Sequence, residues 1–427
     1  VAFEHTTNYV DYLRYKEVKE SLSVSYKGID LGKALAWYLT GIVMFGYKAK
    51  LKDYISLPFL RINTKKFIKA FQSHKIVFTT FFERKDYVEL LNAIKENIDD
   101  SLILPINPHQ KSLRISLNTV VRSINLIFRN KMLNKYGFHE RIYLVFRAIY
   151  IINMINDFER AFRNIDIKGK NYIPFNSATG PESVLSQFFR NKGIRTFHIF
   201  HGIFGRYKIK IANDIINGEN ITAETILAYS ETQRMDLIND FGHDPDKVLI
   251  AGNPKYPLKN ISVNTRFKRC IVLNGFGFYD NDFMNLLVLL NQVAEETGIA
   301  FEVKPHPSSH ILDIPEIKSL GKLIFIQKGK TLKQLLETEH YDFAITFNTV
   351  TYYECMYYGL FCLRYSVNEN LAFIGLEDKF CDKETLFERI NHYKNLNVND
   401  LNNYLTKLLT QTLGMSLDYY GAQITNR

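Results

Sequence analysis

The feature that most constrains this chain is an alternation of short apolar runs with amphipathic segments, repeated in two successive series. The first sharpens at Asn171 with the run YIPFNSA. A helical segment Pro181 to Lys192 follows, then strands Thr196 to Phe200 and Thr225 to Tyr229, a helix Glu231 to Phe241 capped by Ser230, and a strand Val248 to Ala251. The second series starts at Arg269 with CIVLNGF. It continues through helix Phe283 to Thr297, strands Phe301 to Lys304 and Lys322 to Ile326, helix Leu332 to Thr338, strand Asp342 to Phe347, helix Val350 to Tyr358 and strand Leu360 to Tyr365. Strands of a parallel sheet are covered on both faces, so they read as unbroken apolar runs, and the helices between them are the crossovers. The pattern predicts an α/β chain of two doubly wound, Rossmann-like units.

Earlier segments are less specific. Lys75 to Phe82 and Leu102 to Ile106 read as strands around a helix Lys85 to Ile98. Ser112 to Phe162 reads as mostly helical, and the first 70 residues as helices of undetermined packing. A chain of 427 residues exceeds one ordinary core. The two prolines of GNPKYPLKN, Gly252 to Asn260, place the hinge, giving domains 1–255 and 256–427.

The four cysteines form no C-x-x-C pair and read as reduced core thiols, so a cytoplasmic location is expected. The uncharged run Ala34 to Tyr47 is shorter than the roughly 20 residues that span a bilayer and reads as a buried or interfacial helix. The net charge of +10 is concentrated. Lys48 to Lys75 and Lys111 to Arg147 each carry eight basic residues against one acid. Such faces are either solvated surface or attract polyanions, including an anionic membrane or an acidic polysaccharide. No nucleic-acid motif accompanies them, and no nucleic-acid partner is expected. Hydrolase-elbow, P-loop and metal-ligand spacings are also missing, so neither a metal nor another cofactor is expected.

In doubly wound sheets ligands bind beyond the carboxyl ends of strands, which selects four clusters. Lys304-Pro305-His306-Pro307 offers a cation and an imidazole on a stiff loop suited to a nucleotide phosphate, or is simply a rigid turn. Thr346, Asn348 and Thr349 end a strand and open a helix carrying Glu354, an arrangement for anion and ribose contacts or for ordinary capping. Asn274-Gly275-Phe276-Gly277 permits close backbone approach, or is a plain turn. His201-Gly202, followed by Arg206 and preceded by Glu182, supplies two candidates for a general base, with Arg206 an acceptor contact.

In order, HG at His201, YSE at Tyr229, GNPKY at Gly252, KPHP at Lys304 and TFNTVTYYECMYYG at Thr346 resemble bacterial GT-B transferases that use cytidine-activated donors. These are the capsule Kdo- and sialyltransferases and the CDP-glycerol glycerophosphotransferases. The similarity covers residues 170 to 365. It implies a C-terminal donor-binding domain in which His306, Pro307, Thr346 and Thr349 hold the donor phosphate and Glu354 the ribose. It also implies an N-terminal acceptor domain with a catalytic His201. The chain departs from the pattern at Ile203 and at Phe347-Asn348.

The resulting expectation is an inverting, metal-independent glycosyltransferase. It would move a sugar from a nucleotide, CMP-activated donor to a surface polysaccharide or lipid-linked glycan at the inner face of the membrane. His201 or Glu182 serves as base, while Lys304, His306 and the helix start near Thr349 stabilise the departing phosphate. Asn274, Gly275 and Asn348 complete the donor contacts. Polyol-phosphate transfer on the same fold, epimerisation of a nucleotide sugar and non-catalytic polyanion binding are the rival readings.

Overall fold

A computed structural model describes residues 8–81, 85–106, 110–111, 115–203, 206–207, 213–263, 265–275, 280–326, 329–415 and 419–425. The chain divides into two units, Val1–Phe204 with Ile209–Lys255 and Asp418–Arg427, and Gly205–Lys208 with Tyr256–Leu417.

The first unit is built on six strands: β1 (Ile76–Thr80), β2 (Ser101–Pro105), β3 (Asn171–Pro174), β4 (Arg195–Ile199), β5 (Thr225–Ala228) and β6 (Val248–Ile250). All pairs are parallel, in the order β2-β1-β3-β4-β5-β6. Its helices are α1 (Tyr9–Ser21), α2 (Leu31–Val43), α3 (Thr64–Ser73), α4 (Lys85–Lys95), α5 (Leu117–Phe128), α6 (Phe138–Ala161), α7 (Gly180–Asn191), α8 (Asn213–Glu219) and α9 (Glu231–Asn239). Successive strand residues face opposite sides. Val77 and Tyr172 accordingly join one core with Phe71, Phe158 and Phe189 of α3, α6 and α7. Ile76, Phe78 and Ile173 join another with Leu90, Leu91 and Ile94 of α4. Both faces being covered is why β1 is buried along its whole length.

Helix α6 explains the long helical stretch before β3. Its central stretch from Ala148 to Ile155 is buried on every side, as in a helix packed on several sides, and the helix touches α2, α3, α5 and α7. The uncharged run starting at Ala34 forms α2. Asp30 caps it by accepting from the Lys33 amide (3.1 Å), and Leu35 and Leu39 are fully buried. α2 is therefore a core helix, and no helix among the described residues is long and apolar enough to cross a membrane.

The second unit repeats the plan with β7 (Arg269–Asn274), β8 (Ala300–Lys304), β9 (Leu323–Phe325), β10 (Phe343–Phe347), β11 (Phe361–Tyr365) and β12 (Lys379–Phe380). They are all parallel, in the order β9-β8-β7-β10-β11-β12. Helices α10 (Asp280–Thr297), α11 (Leu332–Thr338), α12 (Thr351–Tyr357), α13 (Lys383–Lys394) and α14 (Val398–Thr412) accompany them. α12 stops at Gly359, whose φ of +84° suits glycine and where a Cβ would lie 2.6 Å from the Ser262 carbonyl oxygen. A final helix, α15 (Tyr420–Thr425), belongs to the first unit, where the Ile424 carbonyl accepts from Asn171 Nδ2 (3.1 Å).

The second sheet has the 3-2-1-4-5-6 order of the Rossmann fold and the first the related 2-1-3-4-5 order with one strand added. Two such units in succession are the architecture of GT-B proteins. Strand order reverses between β1 and β3 in the first unit and between β7 and β10 in the second, so those are the crevices to inspect. Cys270, Cys355 and Cys362 are buried thiols as the sequence predicts, whereas Cys381 is exposed.

Candidate functional site

The crevice of the second unit is an open cavity of about 460 Å³. Asn274 at the end of β7, the loop Lys304 to Pro307 after β8, and Thr349 and Thr351 after β10 line it. The start of α11 closes the rim with Lys330 and Thr331. Local hydrogen bonds hold this wall. Asn274 Oδ1 accepts from the His306 amide (2.8 Å), and Asn274 Nδ2 reaches Asp280 Oδ1 (3.4 Å). Asp280 in turn accepts from Ser309 Oγ (2.6 Å) and the His310 amide (2.8 Å). Two strand-end loops are thus tied through one buried amide and one carboxylate.

The Ser308 amide donates to His306 Nδ1 (3.1 Å), so the neutral ring carries its proton on Nε2. Burial first, and the neighbouring Lys304 charge second, depress the His306 pKa, against a small opposing pull from Asp280. Burial likewise lowers that of Lys304, and no carboxylate among the described residues pairs with it. Burial thus weighs against the charged form of both groups, and a phosphate bound in the recess would oppose both shifts.

Of the residues the sequence singles out, Asn274, Lys304, Pro305, His306, Pro307 and Thr349 line this cavity, and the other described ones do not. Thr346 is buried within the sheet, its hydroxyl toward the Leu363 carbonyl (3.5 Å). Asn348 has a φ of +52° and Oδ1 accepts from the Asn370 (2.7 Å) and Leu371 (3.1 Å) amides, so its side chain holds the loop after β11. The Gly275 amide donates to the Phe347 carbonyl (2.9 Å), which commits it to β10; Phe276 and Gly277 lie outside the described residues. Glu354 is half-buried on α12 and not in the lining. Sequence reasoning missed Lys330 and Thr331. The available signal was Gly329-Lys330-Thr331 ahead of Gln334, a capping box in which Thr331 Oγ1 accepts from the Gln334 amide (3.2 Å).

The matching crevice of the first unit is filled from within. Glu182, in the first turn of α7 and 1% exposed, accepts from the Phe175 amide (2.9 Å) and Thr79 Oγ1 (3.1 Å). The backbone N–H groups of Phe81 and Asn176 also donate to it. Burial pushes its pKa up to about 8, and those four donors pull the other way. An internal carboxylate thus sits where a doubly wound unit would receive a ligand's anion. His201, just past β4, is half-buried with its ring 5.5 Å from Tyr87 and 6.2 Å from Phe175. The backbone of Arg206 pairs with Ala372 in the second unit, and its side chain lies outside the described residues. Among the described residues no group of three or more His, Cys, Asp and Glu side chains is arranged to hold a metal ion.

No protein-family model matches the chain, and no curated protein matches its sequence. Solved structures resemble it in the course of the backbone. S. aureus MnaA with UDP has a TM-score of 0.48 at 12% identity, over 82% of this chain and 95% of that one. Anabaena HepE in complex with UDP gives 0.46 at 10% identity, over 82% and 98%. The UDP-GlcNAc 2-epimerase of Neisseria meningitidis bound to UDP-GlcNAc gives 0.44 at 13%, over 82% and 98%. At these identities the likeness specifies no reaction or ligand for this chain.

Proposed function

We propose that this protein is a glycosyltransferase that takes its sugar from a nucleotide donor bound in the second unit. The observation that carries the reading is the cavity at the β7/β10 crevice, where Lys304, His306 and the Thr331, Thr349 and Thr351 hydroxyls line one recess. The first unit is consistent with the same division of labour, because the buried Glu182 side chain occupies the donors at its own crevice. Cations and hydroxyl donors stabilise charge as it develops on a leaving phosphate. In the proposed reaction an acceptor hydroxyl attacks the anomeric carbon, the bond to the phosphate breaks with inversion, and the hydroxyl proton passes to a base. We assign that role to His201 rather than Glu182, because His201 keeps partial solvent access while Glu182 is sealed among four donors. Motif resemblance alone supports a cytidine-activated donor and a surface-glycan acceptor, without a metal.

Thermal unfolding with CMP, CDP, UDP, GDP and dTDP tests the reading. A cytidine nucleotide is expected to raise the transition of the wild-type protein by mass action, and His306→Ala to remove most of that rise. No rise with any nucleotide, or one that His306→Ala leaves intact, would reject the site. A rise confined to UDP would keep the site and replace the base.

A further inference from the structure

The first unit carries a second recess, of about 970 Å³, among its additional helices. The ribbon Ser25 to Asp30, the starts of α3 and α5 and the last turns of α6 enclose it. Six cationic side chains line it: Lys27, Arg61, Lys65, Arg122, Arg160 and Arg163. Only two carboxylates join them, Asp157 and Glu159. Both are already engaged, Asp157 by Arg61 (3.2 Å) and Glu159 by Lys192 (3.0 Å), the latter outside the recess. Among the described residues no carboxylate lies within ion-pair distance of Lys27, Lys65, Arg122 or Arg163. The two basic stretches of the sequence converge here, Arg61 and Lys65 from one and Arg122 from the other.

Two of the cations, Arg122 and Lys27, are also held in place. Arg122 stacks 4.9 Å over the Tyr26 ring, and the Tyr26 hydroxyl donates to Asn156 Oδ1 (2.8 Å), which accepts from Lys27 Nζ as well (2.6 Å). Fixing long side chains before a ligand arrives reduces the entropy lost on binding. A concave surface with one sign of charge concentrates counter-ions, and guanidinium groups match carboxylate and phosphate oxygens in pairs.

We propose that this recess binds an anionic saccharide, a segment of glycan carrying carboxylate or phosphate groups. Its volume far exceeds that of a single phosphate and leaves room for several sugar units. The neutral part of the lining includes the amides of Asn118, Asn153 and Asn156, which suit sugar hydroxyls. Tyr26 is the single aromatic side chain in the lining and its ring already carries cations, so the recess has no stacking platform for nucleobases. The identity of the ligand as a glycan rests on the transferase reading above; the anion site does not.

The experiment is a titration of the full chain with oligogalacturonate, a poly(glycerol phosphate) of similar length, neutral dextran and oligo(dT), at two salt concentrations. One or both anionic saccharides are expected to bind, more weakly at high salt, while dextran does not. Their ranking separates carboxylate from phosphate recognition. The exposed triple change R122E/R160E/R163E is expected to lower that affinity by about tenfold or more, equivalent to about 1.4 kcal/mol. R122K/R160K/R163K should retain most of it. R163E alone, at an exposed position, serves if the triple variant unfolds, and a smaller loss is then expected. Failure of both anionic saccharides to bind, affinity unchanged on charge reversal, or tighter binding of oligo(dT) would overturn the proposal. Nucleotide-induced stabilisation, read on the same samples, reports separately on the second unit. Saccharide binding without it would leave this site standing and sink the transferase reading.

Discussion

Glu182 joins the ends of β1 and β3 through a single carboxylate that takes donors from Thr79, Phe81, Phe175 and Asn176. Truncating it leaves three backbone N–H groups buried without an acceptor, each worth about 1–3 kcal/mol. Glu182→Ala is therefore expected to lose about 3 kcal/mol or more of stability in urea unfolding. Glu182→Gln, which keeps one acceptor oxygen, should lose less. The pH dependence has a definite sign. Because the folded-state pKa is raised to about 8, this group's stabilising contribution is complete below its ordinary value of 4.5 and is lost as pH climbs through about 8. Wild-type protein should thus be more stable at pH 5 than at pH 8 by a margin that Glu182→Gln lacks. A flat difference between the two proteins across that window would show that the carboxylate is ionised throughout.

At the scale of elements, the loop after β11 is fixed by a buried ion cluster. Arg364, 3% exposed, reaches Asp378 (2.8 Å) and Glu369 (3.0 Å), and the Tyr352 hydroxyl of α12 also donates to Asp378. Removing the shared cation leaves Asp378 without its ion-pair partner and Glu369 with Lys379 alone (3.0 Å), and breaking a buried pair in this way costs about 3–5 kcal/mol. Arg364→Met is expected to lose that much in equilibrium unfolding and to raise amide exchange at residues 366 to 373; unchanged exchange there would mean the loop is held without Arg364. The same region shows what a sequence conveys. Every strand of the two sheets except the two-residue β12, and helices α7, α9 and α11, were legible, because parallel strands buried on both faces leave unbroken apolar runs between capped helices. The cation at Lys304 and the ring at His306 were legible as strand-end residues on a proline-stiffened loop. The loop-holding use of Asn348 and the inward position of Glu182 were not. These two depend on contacts with residues distant in sequence or on a left-handed backbone, which composition and periodicity do not encode; the capping box at Thr331 is a local pattern that was readable and went unread. The basic recess was split between runs that read separately as charged surface.

At the scale of the molecule, contacts divide the chain so that helix α15 returns to the first unit after the whole of the second. Tyr420 and Ile424 are fully buried in the core that also holds Ile76 and Phe78. The Ile424 carbonyl accepts from Asn171 and, at 3.4 Å, from Arg195. Burying two such side chains is worth about 1.5–3 kcal/mol each, so the first unit draws several kcal/mol from residues beyond the second. A chain ending after Met415 keeps every side chain that lines the cavity at the β7/β10 crevice. Calorimetry of that shortened protein is expected to resolve a lowered transition for the first unit. A second transition, still raised by nucleotide, should remain near its wild-type position. If both transitions fall together, or nucleotide stabilisation disappears with α15, the two units do not melt as separate bodies and nucleotide binding is not a property of the second unit alone.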